Sequence, residues 1–165
     1  MEFMKLRFCL QLSILALCTA CGGAHQVKGE SPFVRISSLS VDEHSLTAEF
    51  DIHNINDVKM DIDAIDIRIT GPSSELGHFA GDLRLSIDPN TTEEVSLQET
   101  AGQDTENILH ELESGQISSM AFSLEGRVHT GDDGYLSFRN EGHLYPVPGR
   151  PGQFRSASSR SREER

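Results

Sequence analysis

The sequence predicts an all-β fold, an antiparallel sandwich of about seven strands with one short helix at about 104–114. Three observations carry that expectation. Apolar and polar residues alternate through most of the chain, which is the period of a half-buried strand. Gly, Pro, Asn and Asp clusters interrupt the alternation at short intervals. One segment follows a helical spacing instead.

The opening strand covers Phe33 to Ser40. Leu46, Ala48, Phe50 and Ile52 then alternate with Thr47, Glu49, Asp51 and His53. Ile65, Ile67 and Ile69 alternate with Asp66, Arg68 and Thr70 until Gly71-Pro72 stops the strand. Met60, Ile62 and Ala64 have the opposite parity, which predicts a bulge or bend near Ala64–Ile65. Leu83, Leu85 and Ile87 form the next stripe, ending at Asp88-Pro89-Asn90, and Val95 and Leu97 mark a short strand beyond it. Asp104 to Ser114 places Ile108, Leu109 and Leu112 on one narrow helical face. Asp104 suits the N-cap, Glu106 the positive end of the helix dipole, and Gly115 the C′ position. Met120, Phe122, Leu124, Gly126 and Val128 form the longest stripe. Thr130 to Gly134 reads as a hairpin loop, with Leu136, Phe138 and Leu144 on the return strand.

The flanks have a different character. Lys5 and Arg7 precede an apolar run from Phe8 to Leu17, followed by Cys18-Thr19-Ala20-Cys21-Gly22. A basic start, a short apolar stretch and small residues before a cleavage point make a secretory signal. The run falls short of the roughly 20 apolar residues that a spanning helix needs. Thr-Ala-Cys resembles the lipobox of bacterial lipoproteins, although Cys18 stands where Leu is usual. That resemblance implies cleavage after residue 20 and diacylation of Cys21. Gly22 rather than Asp after the cysteine implies the outer membrane, at its periplasmic face. An ordinary secretory signal cleaved nearby is the plainer alternative. Residues 21–31 then read as the lipidated N-terminus and a tether, 32–148 as the domain, and 149–165 as a disordered basic tail.

Charge and cysteine usage narrow the function classes. Residues 22–149 hold 7 Lys and Arg against 23 Asp and Glu, while residues 150–165 hold five Arg against two Glu. An acidic body of this kind repels phosphates and argues against nucleic acid as a partner. Solubility accounts for the acidity, and association with divalent cations is the sharper alternative. Cys9 and Cys18 fall within the signal, so Cys21 is the last cysteine and the domain has no internal disulfide.

The order of motifs resembles a known family. The strand at 46–53 runs into Asn54-Ile55-Asn56, and then Met60-Asp-Ile-Asp-Ala-Ile-Asp-Ile-Arg-Ile-Thr-Gly71 follows. Phe122-Ser-Leu-Glu-Gly126, the acidic hairpin and Gly142-His-Leu-Tyr-Pro146 come later. This is similar to the type-2 late embryogenesis abundant family, also called the WHy (water stress and hypersensitive response) domain, across about residues 33–148. Ile55 stands where the family usually has Pro, which removes a fixed φ from the turn. The resemblance implies an immunoglobulin- or fibronectin-III-like β-sandwich and a role in water-stress or desiccation protection. Asn54 and Asn56 form the family turn motif. Satisfying backbone groups where the chain turns is their structural reading, and part of a binding surface is the functional one.

Catalytic chemistry finds no pattern. All seven histidines (His25, His44, His53, His78, His110, His129 and His143) lie after Cys21, and none has metal-ligand spacing. His110-Glu111-Leu112-Glu113-Ser114 opens like a zinc-protease helix, but Ser114 stands where the second His is required. Asp51, Asp57, Asp61, Asp63 and Asp66 crowd one region without EF-hand spacing, and Asp132-Asp133 crowd another. The expectation is a non-enzymatic protein with no catalytic, cofactor-binding or metal residues. Its partners would be the membrane, through Cys21, and protein clients or an envelope protein that pairs with an exposed sheet edge such as Glu75–Gly81.

Overall fold

The computed structural model describes residues 29–158. Cys21, the signal and most of the tether lie outside the described residues, as do residues 159–165. Eight strands and one helix make up the described chain. They are β1 (Phe33–Asp42), β2 (Ser45–His53), β3 (Met60–Thr70), β4 (Glu75–Ile87), β5 (Thr92–Thr100), α1 (Gln103–Glu113), β6 (Met120–Thr130), β7 (Gly134–Pro146) and β8 (Gln153–Ser158). They form one antiparallel sheet in the order β4-β3-β6-β7-β8-β1-β2-β5, curled until it nearly closes into a barrel.

The all-β expectation holds, with an eighth strand where about seven were expected. That strand, β8, falls inside the segment read as a disordered tail. Its single large apolar residue, Phe154, is fully buried, and its backbone pairs with β7 on one side and β1 on the other. A lone Phe among Arg and Ser carries no period, so the sequence pattern could not reveal it.

Alternation decides which side chains fill the interior. Leu46, Ala48, Phe50 and Ile52 of β2 are all fully buried, and Phe50 meets Phe79 of β4 edge-to-face at 5.5 Å across the core. In β3 the parity changes at Asp63, which is extra relative to β6, because Ile62 pairs with Thr130 and Ala64 with His129. The predicted bulge therefore sits slightly earlier than Ala64–Ile65 and lets both Ile62 and Ile65 point inward. Ser37 does the same in β1 against β2, turning Leu39 rather than Ser38 into the core.

Helix α1 lies between β5 and β6 and packs on β4 and β7. Leu109 and Leu112 are fully buried, as the apolar face predicted. The N-cap is Gly102, not Asp104, and its side chain offers no cap; Asp104 and Glu106 instead favour the positive dipole end from the first turn. The C-terminus has the predicted glycine. Gly115, at φ 77°, donates to the Leu112 carbonyl and Gln116 donates to that of Glu111, a Schellman arrangement that β-carbon sterics would oppose.

Candidate functional site

The loops 54–59, 88–91 and 131–133 gather with residues 29–32 at one end of the barrel, termed the loop end. The other end, carrying α1 and the turns at 43–44, 71–74 and 147–152, is termed the helix end. At the loop end the chain passes from β2 to β3 through Asn54-Ile55-Asn56, and Asn54 is 0% exposed. Its Nδ2 donates to the carbonyls of Val58 at 2.8 Å, Ile87 at 3.2 Å and Asp88 at 3.3 Å. Its Oδ1 accepts from the backbone N–H and the Nδ2 of Asn56, both at 3.0 Å. Its own N–H donates to Thr91 O at 2.9 Å. One carboxamide thus joins the β2–β3 loop to the β4–β5 turn, and no other side chain of this size offers two N–H donors and a carbonyl acceptor together.

Asn56 continues the connection outward. Its Oδ1 accepts from Glu30 N at 2.7 Å and its Nδ2 donates to Glu30 O at 3.0 Å. Gly29 N donates to Asp133 Oδ1 at 3.0 Å. The segment leading into β1 is therefore held by the β2–β3 loop and the β6–β7 hairpin together. The polar hub leaves the apolar residues of the same loop outside: Ile55 is 40% and Val58 67% exposed. Phe33, at the start of β1, and Tyr135, beside the hairpin, are also exposed. Tyr135 meets His129 edge-to-face and lies under the Arg127 guanidinium. Among the described residues, these four are the exposed large apolar side chains, and all belong to the loop end or the strand ends that meet it.

A second arrangement lies where the outermost strands, β4 and β5, face each other. No ladder joins them there. Glu99 Oε1 of β5 accepts from His78 N of β4 at 2.8 Å, and beside it the Thr105 hydroxyl of α1 donates to Leu76 O of β4 at 3.0 Å. Gly77 makes room for this closure, since a β-carbon would lie 2.2 Å from Glu99 Oε1 and 2.9 Å from Leu46 Cδ2. Burial pushes the Glu99 carboxyl above its usual value, opposed by the His78 N–H bond and the His78 charge. The edge proposed from the sequence, Glu75–Gly81, is part of this seam.

The acidic residues that crowd the sequence do not converge. Asp66 accepts from His78 Nε2 at 2.8 Å and from Arg127, and these bonds, His78 first, hold its carboxyl below the usual value although its partial burial acts the other way. Asp51 pairs with Arg35 at 2.6 Å, Asp63 with His129 at 3.5 Å, and Asp61 bonds Ser86. Asp57 accepts from Asn90 at 3.2 Å. Among the described residues no three His, Cys, Asp or Glu side chains are gathered so as to hold a metal ion. His53 bonds Thr92 Oγ1 at 3.0 Å, on the outward parity that the strand pattern predicts. A shallow cleft of about 530 Å³ opens between β1 and β8, bordered by Phe33, Ser37, Asp51 and Ser156.

Sequence reasoning singled out Asn54 and Asn56 and weighed Asp133 only as part of an acidic cluster, and it missed Glu99, Gly77 and Thr105. Only Gly77 carried a signal, since a glycine inside a strand often marks a close approach. No helix among the described residues is long and apolar enough to cross a membrane.

No family model and no curated protein matches the chain. Among solved structures, the fold is similar to that of a protein from Arabidopsis thaliana, solved in solution. The TM-score is 0.50 at 11% identity, over 82% of this chain and 91% of that one. A crystal structure of a protein from Archaeoglobus fulgidus aligns with a TM-score of 0.43 at 14% identity, over 70% of this chain and 96% of that one. At such identities the likeness to the Arabidopsis thaliana protein concerns the all-β fold alone.

Proposed function

We propose that this chain is a non-enzymatic lipoprotein of the bacterial envelope, anchored by acylation of Cys21 at the periplasmic face of the outer membrane, whose acidic β domain protects proteins or membrane under water stress. The reading also takes the two halves of the curled sheet, β5-β2-β1 and β4-β3-β6-β7, as the layers of an immunoglobulin- or fibronectin-III-like sandwich. The Asn54–Asn56 turn is the observation that carries it. Those two residues, which the resemblance to the type-2 late embryogenesis abundant family rests on, form the hub of the β2–β3 crossing. A protective action would come from a strongly hydrated, like-charged exterior that keeps neighbours apart. The test dries or heats an aggregation-prone enzyme with the purified protein. Residual activity above that given by an equal mass of an unrelated acidic protein is expected, and no advantage rejects the reading.

A second reading, an envelope assembly module, is favoured by the outer edge of β4. From Ala80 to Asp82 its residues are exposed, and β4 ends the strand order, so a partner strand could add there. Stoichiometric crosslinking of one envelope protein would favour it. A weak divalent-cation binder is the third reading, and a calcium-dependent rise in Tm would support it.

A further inference from the structure

We infer that the loop end of the barrel rests in the headgroup layer of a bilayer, with Ile55 and Val58 entering the boundary of the acyl region. The inference deepens the lipid-anchor reading and rests on it. Three features bear on it, and the first is asymmetry. Ile55 and Val58 are exposed at the tip of the loop end, while the helix end, among the described residues, exposes no large apolar side chain.

The second feature is where the chain arrives. Gly29 and Glu30 are fixed at the loop end by Asp133 and Asn56. Only residues 22–28 separate Gly29 from Cys21. Even fully extended, the eight steps from Cys21 to Gly29 cover at most about 26–29 Å. An acyl anchor on Cys21 therefore keeps this end, rather than the helix end, near the lipid.

The third feature is rigidity. The Val58 carbonyl is held by the buried Asn54, so the two apolar side chains are presented by a loop already fixed in shape. Such a loop needs little ordering on contact.

Charge selects the surface. Glu30, Asp57, Asp88 and Asp132 are exposed around the apolar tip, with Lys59 the nearby cation among the described residues. An anionic leaflet repels this rim, so a zwitterionic surface is preferred and penetration stops at the loop tip. The same rim disfavours a second copy of the chain as the occupant, because two acidic rims would face each other.

The chain lacks Trp, which makes a clean probe possible. Val58→Trp places one indole at the loop tip, and Ser73→Trp places one in the β3–β4 turn at the helix end. Because the indole is the same, its own liking for interfaces cancels in the comparison. Each full-length protein is matured in a bacterial envelope and checked by mass for acylation. It is then reconstituted in phosphatidylcholine vesicles carrying chain-brominated lipid. The expected result is quenching of the Val58→Trp protein at least about twofold stronger than that of Ser73→Trp, as for side chains reaching roughly 5–10 Å into the interface. Replacing a third of the lipid with phosphatidylglycerol should weaken the difference, and added salt should restore it. Equal or absent quenching in an acylated protein overturns the inference and leaves the anchor intact. A blue shift of the Val58→Trp protein with rising protein concentration, without lipid, assigns the tip to a second copy and overturns it also. An unacylated N-terminus overturns both readings.

Discussion

The two ends of the barrel are closed by opposite chemistry. At the helix end, α1 lays Leu109 and Leu112 over the core, and side chains stitch the surrounding turns to it. His44 Nδ1 meets Glu106 Oε1 at 2.8 Å, and Glu113 accepts from Gly152 N at 3.1 Å. Among the described residues the loop end has no helix, and the buried carboxamide of Asn54 ties the connections together. An apolar plug tolerates repacking because dispersion has no direction. A polar hub does not, because each of its bonds has one geometry. The loop end should therefore be the more specified and the less forgiving of the two.

The strongest way to break that contrast is Asn54→Ala. It strips a donor from the buried Ile87 carbonyl and an acceptor from the partly buried Asn56 N–H. At about 1–3 kcal/mol per buried group left unmatched, a loss of roughly 3–4 kcal/mol is expected in denaturant titration. Asn54→Asp should not rescue it, since a carboxylate has no proton for the three carbonyls. At the opposite end, Leu109→Ala should cost about 2–3 kcal/mol through transfer and cavity terms. Leu109→Met should be nearly neutral, the repacking freedom that the loop end lacks. If Asn54→Ala proves milder than Leu109→Ala, the ranking of the two ends is wrong.

Smaller changes at the wall sharpen the contrast. The Glu99 carboxyl is raised in the folded protein, so the fold holds that proton more tightly than the unfolded chain does. The stabilisation is fully present below the unfolded value near 4.5 and is lost as pH rises through the raised folded value. Glu99→Gln keeps an acceptor for His78 N–H without the charge, and should raise Tm at neutral pH while leaving it unchanged in acid. Asp66 behaves with the opposite sign. Its carboxyl is lowered, so its stabilisation exists above the unfolded value near 3.8 and is lost as pH falls through the folded one. Because Asp66 is an exposed pair partner, Asp66→Asn should cost less than about 1 kcal/mol, and high salt should erase the difference.

Much of this architecture was legible because strands announce themselves by parity. Leu46 to Ile52 and Ile65 to Ile69 are buried as their alternation requires, and the mismatch with Met60 and Ile62 marked a real bulge at Asp63. What parity cannot express is partnership. Phe154 earns its strand only by meeting β7 and β1, which are distant in sequence. The sheet order, with β4 and β5 joined by one turn yet at opposite ends of the order, is likewise a long-range fact. Asn54 was visible as a turn residue, but its complete burial depends on Ile87 and Asp88, more than thirty positions away. Glu99 looked like any outward carboxylate on a short strand.

The way β4 meets β5 has a consequence for how the molecule comes apart. Most strand boundaries in the sheet are zipped by many backbone bonds, whereas this one is buttoned by the Glu99 carboxylate, with the Thr105 hydroxyl of α1 holding β4 beside it. Thermal breathing will begin there, so amides from Ala80 to Asp82 should trade hydrogen for deuterium long before those of β2 or β6. The hoop has a built-in clasp.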